Sequence, residues 1–358
     1  MISRLCTLAV RSALATAAFA VTGAVAAAPV YNIQKITKPD GLVAMEADGI
    51  SDTGGFIVGY GPNDGNTNIE GAYISQHRQS TSLYQPCTRD VWTTWAMAVN
   101  TQGEAVGTSF GDKVHAYHWD AAGNGTDLDA LIPCGTHTKD TRGVAINNAG
   151  SSLVNLQCID ENHEWHYQPY VVQGSTATLV GSLGGPLASG FGLNNLGQVV
   201  GWSQVPPDDQ GKVYEHAFLW SQGETKDLGT FGGGKNSHAR AINDLGHIAL
   251  TSNNEQGKDR SYIYDGTTAR QITGCGVGDL LLPVAINHRD DVALATIGGR
   301  ASYLYKGHTC YSLTDLLDAS GDGWAGLDVK DMDEAGVLVG YGYYKGHLRA
   351  FVAKPVTP

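Results

Sequence analysis

The sequence predicts an all-β protein: a seven-bladed β-propeller with four-stranded blades of about 47 residues, its ring closed by the N-terminal strand. Three observations predict it. One five-residue phrase recurs seven times, four strand-like segments fit within each period, and the last period lacks a fourth strand that the N-terminus can supply.

The phrase is clearest in Val99-Asn-Thr-Gln-Gly103, Ile146-Asn-Asn-Ala-Gly150, Leu193-Asn-Asn-Leu-Gly197 and Ile242-Asn-Asp-Leu-Gly246. Ile50-Ser-Asp-Thr-Gly54, Ile286-Asn-His-Arg-Asp290 and Met332-Asp-Glu-Ala-Gly336 are weaker copies. Successive copies are 49, 47, 47, 49, 44 and 46 residues apart. An apolar strand enters each phrase and another leaves it, so each reads as a hairpin. Asn opens the turn through its side chain, and Gly supplies the left-handed position. Asp290 replaces that Gly, and Asp tolerates the conformation better than most residues.

A third strand carries a small residue before an aromatic, as in His216-Ala-Phe-Leu-Trp220 and His115-Ala-Tyr-His-Trp119. His115 and His216 occupy matching positions there, which marks them as structural repeat residues. Thr225–Gly229, Ala269–Thr273 and Cys310–Thr314 read as fourth strands. The seventh unit ends near Val352, and Val30–Ile36 reads as its missing strand, which removes an open sheet edge. The alternative is an open β-solenoid, which needs no borrowed strand.

Residues 1–26 read as a cleaved signal peptide: Arg4 and Arg11 precede an apolar run, and Ala24-Val-Ala26 offers a small-x-small site. Cleavage is expected after Ala26 or Ala27. Residues 27–358 then form a single domain, exported to the periplasm or the extracellular space. Export takes the net charge from −12 to −14. An acidic chain argues against nucleic acid, and no later run is long enough for an apolar membrane span. A monomer is expected.

Gly192-Leu-Asn-Asn-Leu-Gly-Gln-Val-Val-Gly201, His216-Ala-Phe-Leu-Trp220 and Asp227-Leu-Gly-Thr-Phe-Gly-Gly-Gly234 resemble the bacterial HAF-type extracellular repeat family. The resemblance spans about residues 30–353. It implies export and a repeated β fold, but no catalytic residue.

Five cysteines follow the leader, an odd number. Cys134–Cys158 and Cys275–Cys310 each fall within one unit and are candidate disulfides; Cys87–Cys134 competes with the first. No cofactor is expected. No metal is expected either, because the cysteine spacings and the Cys158–His166 loop fit no ligand motif. The run Asp315, Asp318, Ser320, Asp322 loosely follows a calcium loop, but Val329 stands where the closing acid belongs.

Ligand sites of propellers sit on one face, by the channel. The loops expected there carry Arg89, His137, Arg142, His238, Arg240 and Trp324. Arg142 and Arg240 lie five and three residues before their Asn anchors, which places both near the channel. Cations on an acidic protein suit carboxylate or sulfate. The expected function is an exported binding module with a glycan ligand. One alternative is a lyase on an acidic polysaccharide, with a His or Tyr as base. Another is a scaffold binding envelope proteins.

Overall fold

A computed structural model describes residues 28–37, 39, 41–42, 46–63, 66–83, 91–134, 138–276, 281–298 and 301–356. Residues 1–26, read as a leader, lie outside them. The described residues form seven antiparallel four-stranded sheets. Blades 1 to 6 span residues 46–82, 91–127, 138–179, 188–229, 233–271 and 281–312. Blade 7 takes three strands from residues 324–355 and its fourth from Tyr31–Lys35.

Blade 4 shows the pattern, with strands Ala188–Leu193, Val199–Gln204, Glu215–Ser221 and Glu224–Gly229 running outward from the channel. Gly197 takes φ +74° in its first hairpin, and Asp290 takes φ +59° at the corresponding place in blade 6. Gly201 sits inside the second strand, not in a turn. A Cβ there would collide with the Ser189 carbonyl. That glycine answers a close backbone approach.

Sheets packed on both faces need apolar residues on both. Seven apolar clusters fill the seven junctions between consecutive blades, including the one between blades 7 and 1. In that last junction Val339 and Ala350 of blade 7 meet Ala47, Ile50 and Tyr73 of blade 1. The ring is closed, and the solenoid alternative fails.

The closing strand pairs antiparallel with His347–Pro355, Tyr31 opposite Pro355 and Lys35 opposite Phe351. The stretch that loosely follows a calcium loop holds it in place. Asp318 N–H donates to the Tyr31 carbonyl (2.9 Å), Asn32 Nδ2 to Asp318 Oδ2 (3.2 Å), and Ile33 N–H to Ser320 Oγ (2.7 Å). The Tyr31 hydroxyl reaches the Gly336 carbonyl at 2.9 Å.

Cys134–Cys158 and Cys275–Cys310 are both disulfide-bonded. Cys87 lies outside the described residues. The fourth strand of blade 6 is Thr309–Ser312. The expected continuation to Thr314 becomes a helical turn, Leu313–Leu316, because Leu313 and Leu316 are both buried from one side of that turn.

Candidate functional site

Each innermost strand carries a β-bulge at one equivalent place, between Ala47 and Gly49, Ala96 and Ala98, Gly143 and Ala145, Gly190 and Gly192, Ala239 and Ala241, Pro283 and Ala285, and Val329 and Asp331; three of the strands have a second register shift nearer their start. A bulge re-aims the residue it adds. The seven added residues are Asp48, Met97, Val144, Phe191, Arg240, Val284 and Lys330, and all of them line one axial cavity of about 320 Å³. Each stands three residues before the Asn or its equivalent. The flanking residues are mostly Ala and Gly, because the blades converge here.

The turn end of the channel is laced by side chains. Asp52 of blade 1 accepts from Asn148 (2.8 Å) and Asn195 (2.9 Å), on blades 3 and 4. His288 stands 3.2 Å from Glu334 and 3.7 Å from Asp244. Beneath this layer the turn asparagines tie blade to blade: Asn100, Asn147, Asn194 and Asn243 each donate to the backbone carbonyl of the next blade's Asn, at 2.8–3.2 Å.

At the opposite end, aromatic rings cross from blade to blade. Trp95 stacks on Tyr60 (centroids 4.7 Å apart, planes 21° apart) and leans on Phe110 at 4.4 Å. Arg142 also packs over the Phe110 ring, at 5.8 Å. Trp95 Nε1 donates to Glu70 Oε2 (2.5 Å), and the Tyr60 hydroxyl to Glu46 Oε2 (3.0 Å). The three rings are partly exposed. The result is an apolar platform edged by two carboxylates and one guanidinium.

Of the predicted cationic group, Arg142, His238 and Arg240 are among the described residues, and they face different neighbours. Arg240 lines the cavity and covers Phe191 at 4.9 Å. Burial lowers its pKa, and its Nε is buried without a hydrogen-bond partner. His238, two residues away, turns toward blade 4, where Glu215 holds its Nε2 at 2.7 Å and Trp202 packs on its ring. Arg142 also turns toward its preceding blade, so position five before the anchor faces a neighbour and position three faces the bore. Trp324 corrects the sequence reading: it is 9% exposed and packs on Tyr344 and Phe351 inside blade 7. Arg89 and His137 lie outside the described residues. His115 and His216 bond Asp127 and Asp227 of their own fourth strands, consistent with a structural role.

Sequence reasoning missed Asp48 and Lys330, although both obey the three-residue offset that singled out Arg240. It also missed a groove of about 550 Å³ at the seam of blades 7 and 1. Lys35, His77, Arg78 and Lys354 line it, with no carboxylate among its described lining residues. Among the described residues, no group of three or more His, Cys, Asp or Glu is placed to hold a metal ion. No helix there is long and apolar enough to cross a membrane.

These features define the class: a closed seven-bladed propeller with a channel laced at one end and a polar-aromatic mouth at the other. No family model matches the chain, and no curated protein matches its sequence. Its fold is similar to that of solved propellers. The β-propeller domain of the trilobed protease from Pyrococcus furiosus aligns over 88% of this chain and 96% of that one, at 12% identity and TM-score 0.57. YCF48 bound to D1 peptide aligns over 92% and 100%, at 11% identity and TM-score 0.50. Virginiamycin B lyase from Staphylococcus aureus with quinupristin aligns over 91% and 100%, at 8% identity and TM-score 0.50. At such identities the likeness is one of fold.

Proposed function

We propose that this chain is an exported glycan-binding propeller that takes its ligand on the Tyr60–Trp95–Phe110 platform. A sugar ring offers C–H faces to aromatic rings and hydroxyls to carboxylates, and Glu46 and Glu70 stand at the edge of these rings. That pairing is the observation that carries the reading. Export is supported by the leader-like residues 1–26 and by two disulfides, which persist in oxidising compartments. The HAF-type repeat resemblance points the same way.

A lyase acting on acidic polysaccharide in the channel is disfavoured. Asp48, Asp52, Asp244, Asp331 and Glu334 line the cavity against Arg240 and Lys330. An acidic glycan is better placed in the seam groove, on Lys35, Arg78 and Lys354, which gives the binding reading a second surface.

A glycan array run with the wild type, Trp95→Ala and Arg78→Gln tests both surfaces. Platform binding predicts at least a tenfold loss in Trp95→Ala alone. Seam binding predicts the loss in Arg78→Gln alone, restricted to acidic glycans. Binding to no glycan, or binding that neither variant weakens, overturns the reading.

A further inference from the structure

The channel wall formed by blades 7 and 1 holds more carboxylates than its own cations balance. Glu46, Asp48, Asp328 and Asp331 all lie on the innermost strands of these two blades. Among the described residues of those strands, Lys330 is the one cation. Its Nζ is committed to Asp328 Oδ2 at 3.0 Å and to the Tyr341 ring at 5.1 Å. Asp331 accepts from the Ile50 and Met332 N–H groups (3.0 and 2.8 Å), and Glu46 accepts from the Tyr60 hydroxyl.

Asp48 stands apart. Its bulge turns it into the cavity, and its Oδ2 is buried with no hydrogen-bond partner. Burial and the neighbouring Glu46 push its carboxyl up to about 8, which Lys330 only partly offsets. In the free protein at pH 7 Asp48 keeps its proton, so a bound ammonium donor takes that proton's place on Oδ2, the carboxylate and the cation forming together with release of one proton. The donor's chemistry follows from its surroundings. The described residues offer no metal-binding group, while Glu46, Asp328 and Asp331 place negative potential around Asp48. Tyr60, whose hydroxyl bonds Glu46, belongs to the same wall, while the Tyr341 ring already carries Lys330.

We propose that Asp48 anchors a primary ammonium group, carried by an amino sugar whose ring rests on the Tyr60–Trp95 platform. The sugar part rests on the glycan reading above; the ammonium part rests on Asp48. Titration calorimetry at pH 7 with the full chain tests it, using a β-1,4-linked glucosamine tetramer, the N-acetylglucosamine tetramer and spermidine. The free-amine tetramer should bind at least tenfold tighter than the acetylated one. Asp48→Asn, close in shape and unable to ionise, should abolish that preference while leaving the acetylated tetramer within twofold.

Equal or tighter binding of the acetylated tetramer overturns the ammonium anchor and leaves the glycan reading standing. Spermidine binding as tightly as the free-amine tetramer, with loss in Asp48→Asn, upholds the anchor and overturns the sugar platform. No binding by any of the three, or an unchanged Asp48→Asn, overturns the inference; the array then judges the glycan reading separately.

Discussion

The Asn243 side-chain amide donates to the backbone carbonyl of Asn287, 2.8 Å away on the next blade. Its Oδ1 meanwhile accepts from the N–H groups of Leu245 and His247, at 3.0 and 2.9 Å. One buried residue thus closes its own hairpin and ties two blades. Asn243→Ala should destabilise the protein by about 3 kcal/mol, because it strands a carbonyl and two donors. Leu245, in the same turn but 59% exposed, should tolerate Ala within about 0.5 kcal/mol. Urea unfolding of the two variants checks the contrast; equal midpoints would refute it.

Ring closure is the second target. Deleting residues 30–36 removes a whole strand of blade 7 and should lower the melting temperature markedly. Tyr31→Phe removes only the hydroxyl bond to Gly336 and should cost about 1 kcal/mol. A deletion that melts like the wild type would contradict a structural role for the strand.

Each disulfide spans a substantial loop, with sequence separations of 24 and 35 residues. On loop-entropy grounds each should contribute about 3–4 kcal/mol. The paired Cys275→Ala, Cys310→Ala variant should therefore unfold at clearly lower urea, and peptide mapping of the unreduced protein should recover both links.

Stability should fall as pH rises from about 4 to 8. Burial holds the Asp48 carboxyl up at about 8 and that of Asp331 at about 7. An unfolded carboxyl titrates near 3.9. Between these values the folded state holds protons the unfolded state has released, so raising pH favours unfolding. Asp265 acts oppositely, held down to about 2 by Thr268 and Thr267, but its contribution is complete above about pH 5. Asp48→Asn should raise the melting temperature by about 2–5 °C at pH 8 and by much less at pH 5. An equal shift at both would show that Asp48 does not titrate in this window.

The repeat was legible because it is local. Apolar strands flank each Asn-x-x-Gly phrase, and a hairpin needs nothing beyond its own residues to form. The borrowed strand was legible from a deficit in the last unit, and both disulfides from pairing within one unit. The site was less so. Arg142 and Arg240 differ by only two positions relative to their anchors, yet one leans on Phe110 and the other lines the bore. The bulge falls on the three-residue position itself and re-aims it, and nothing in their residue types announces it. Trp324 fell to the core for a similar reason: its loop ends at the strand that its ring covers.

By itself the sequence determined the number of blades, their hairpins and the closing strand, since period and alternation encode local pairing. Tertiary structure alone decided which residues meet. The seven bulges bring Asp48, Arg240 and Lys330 around one axis, and the blade junction stacks Trp95 on Tyr60. Those contacts join residues tens to hundreds of positions apart, and their geometry exists only once the ring has closed.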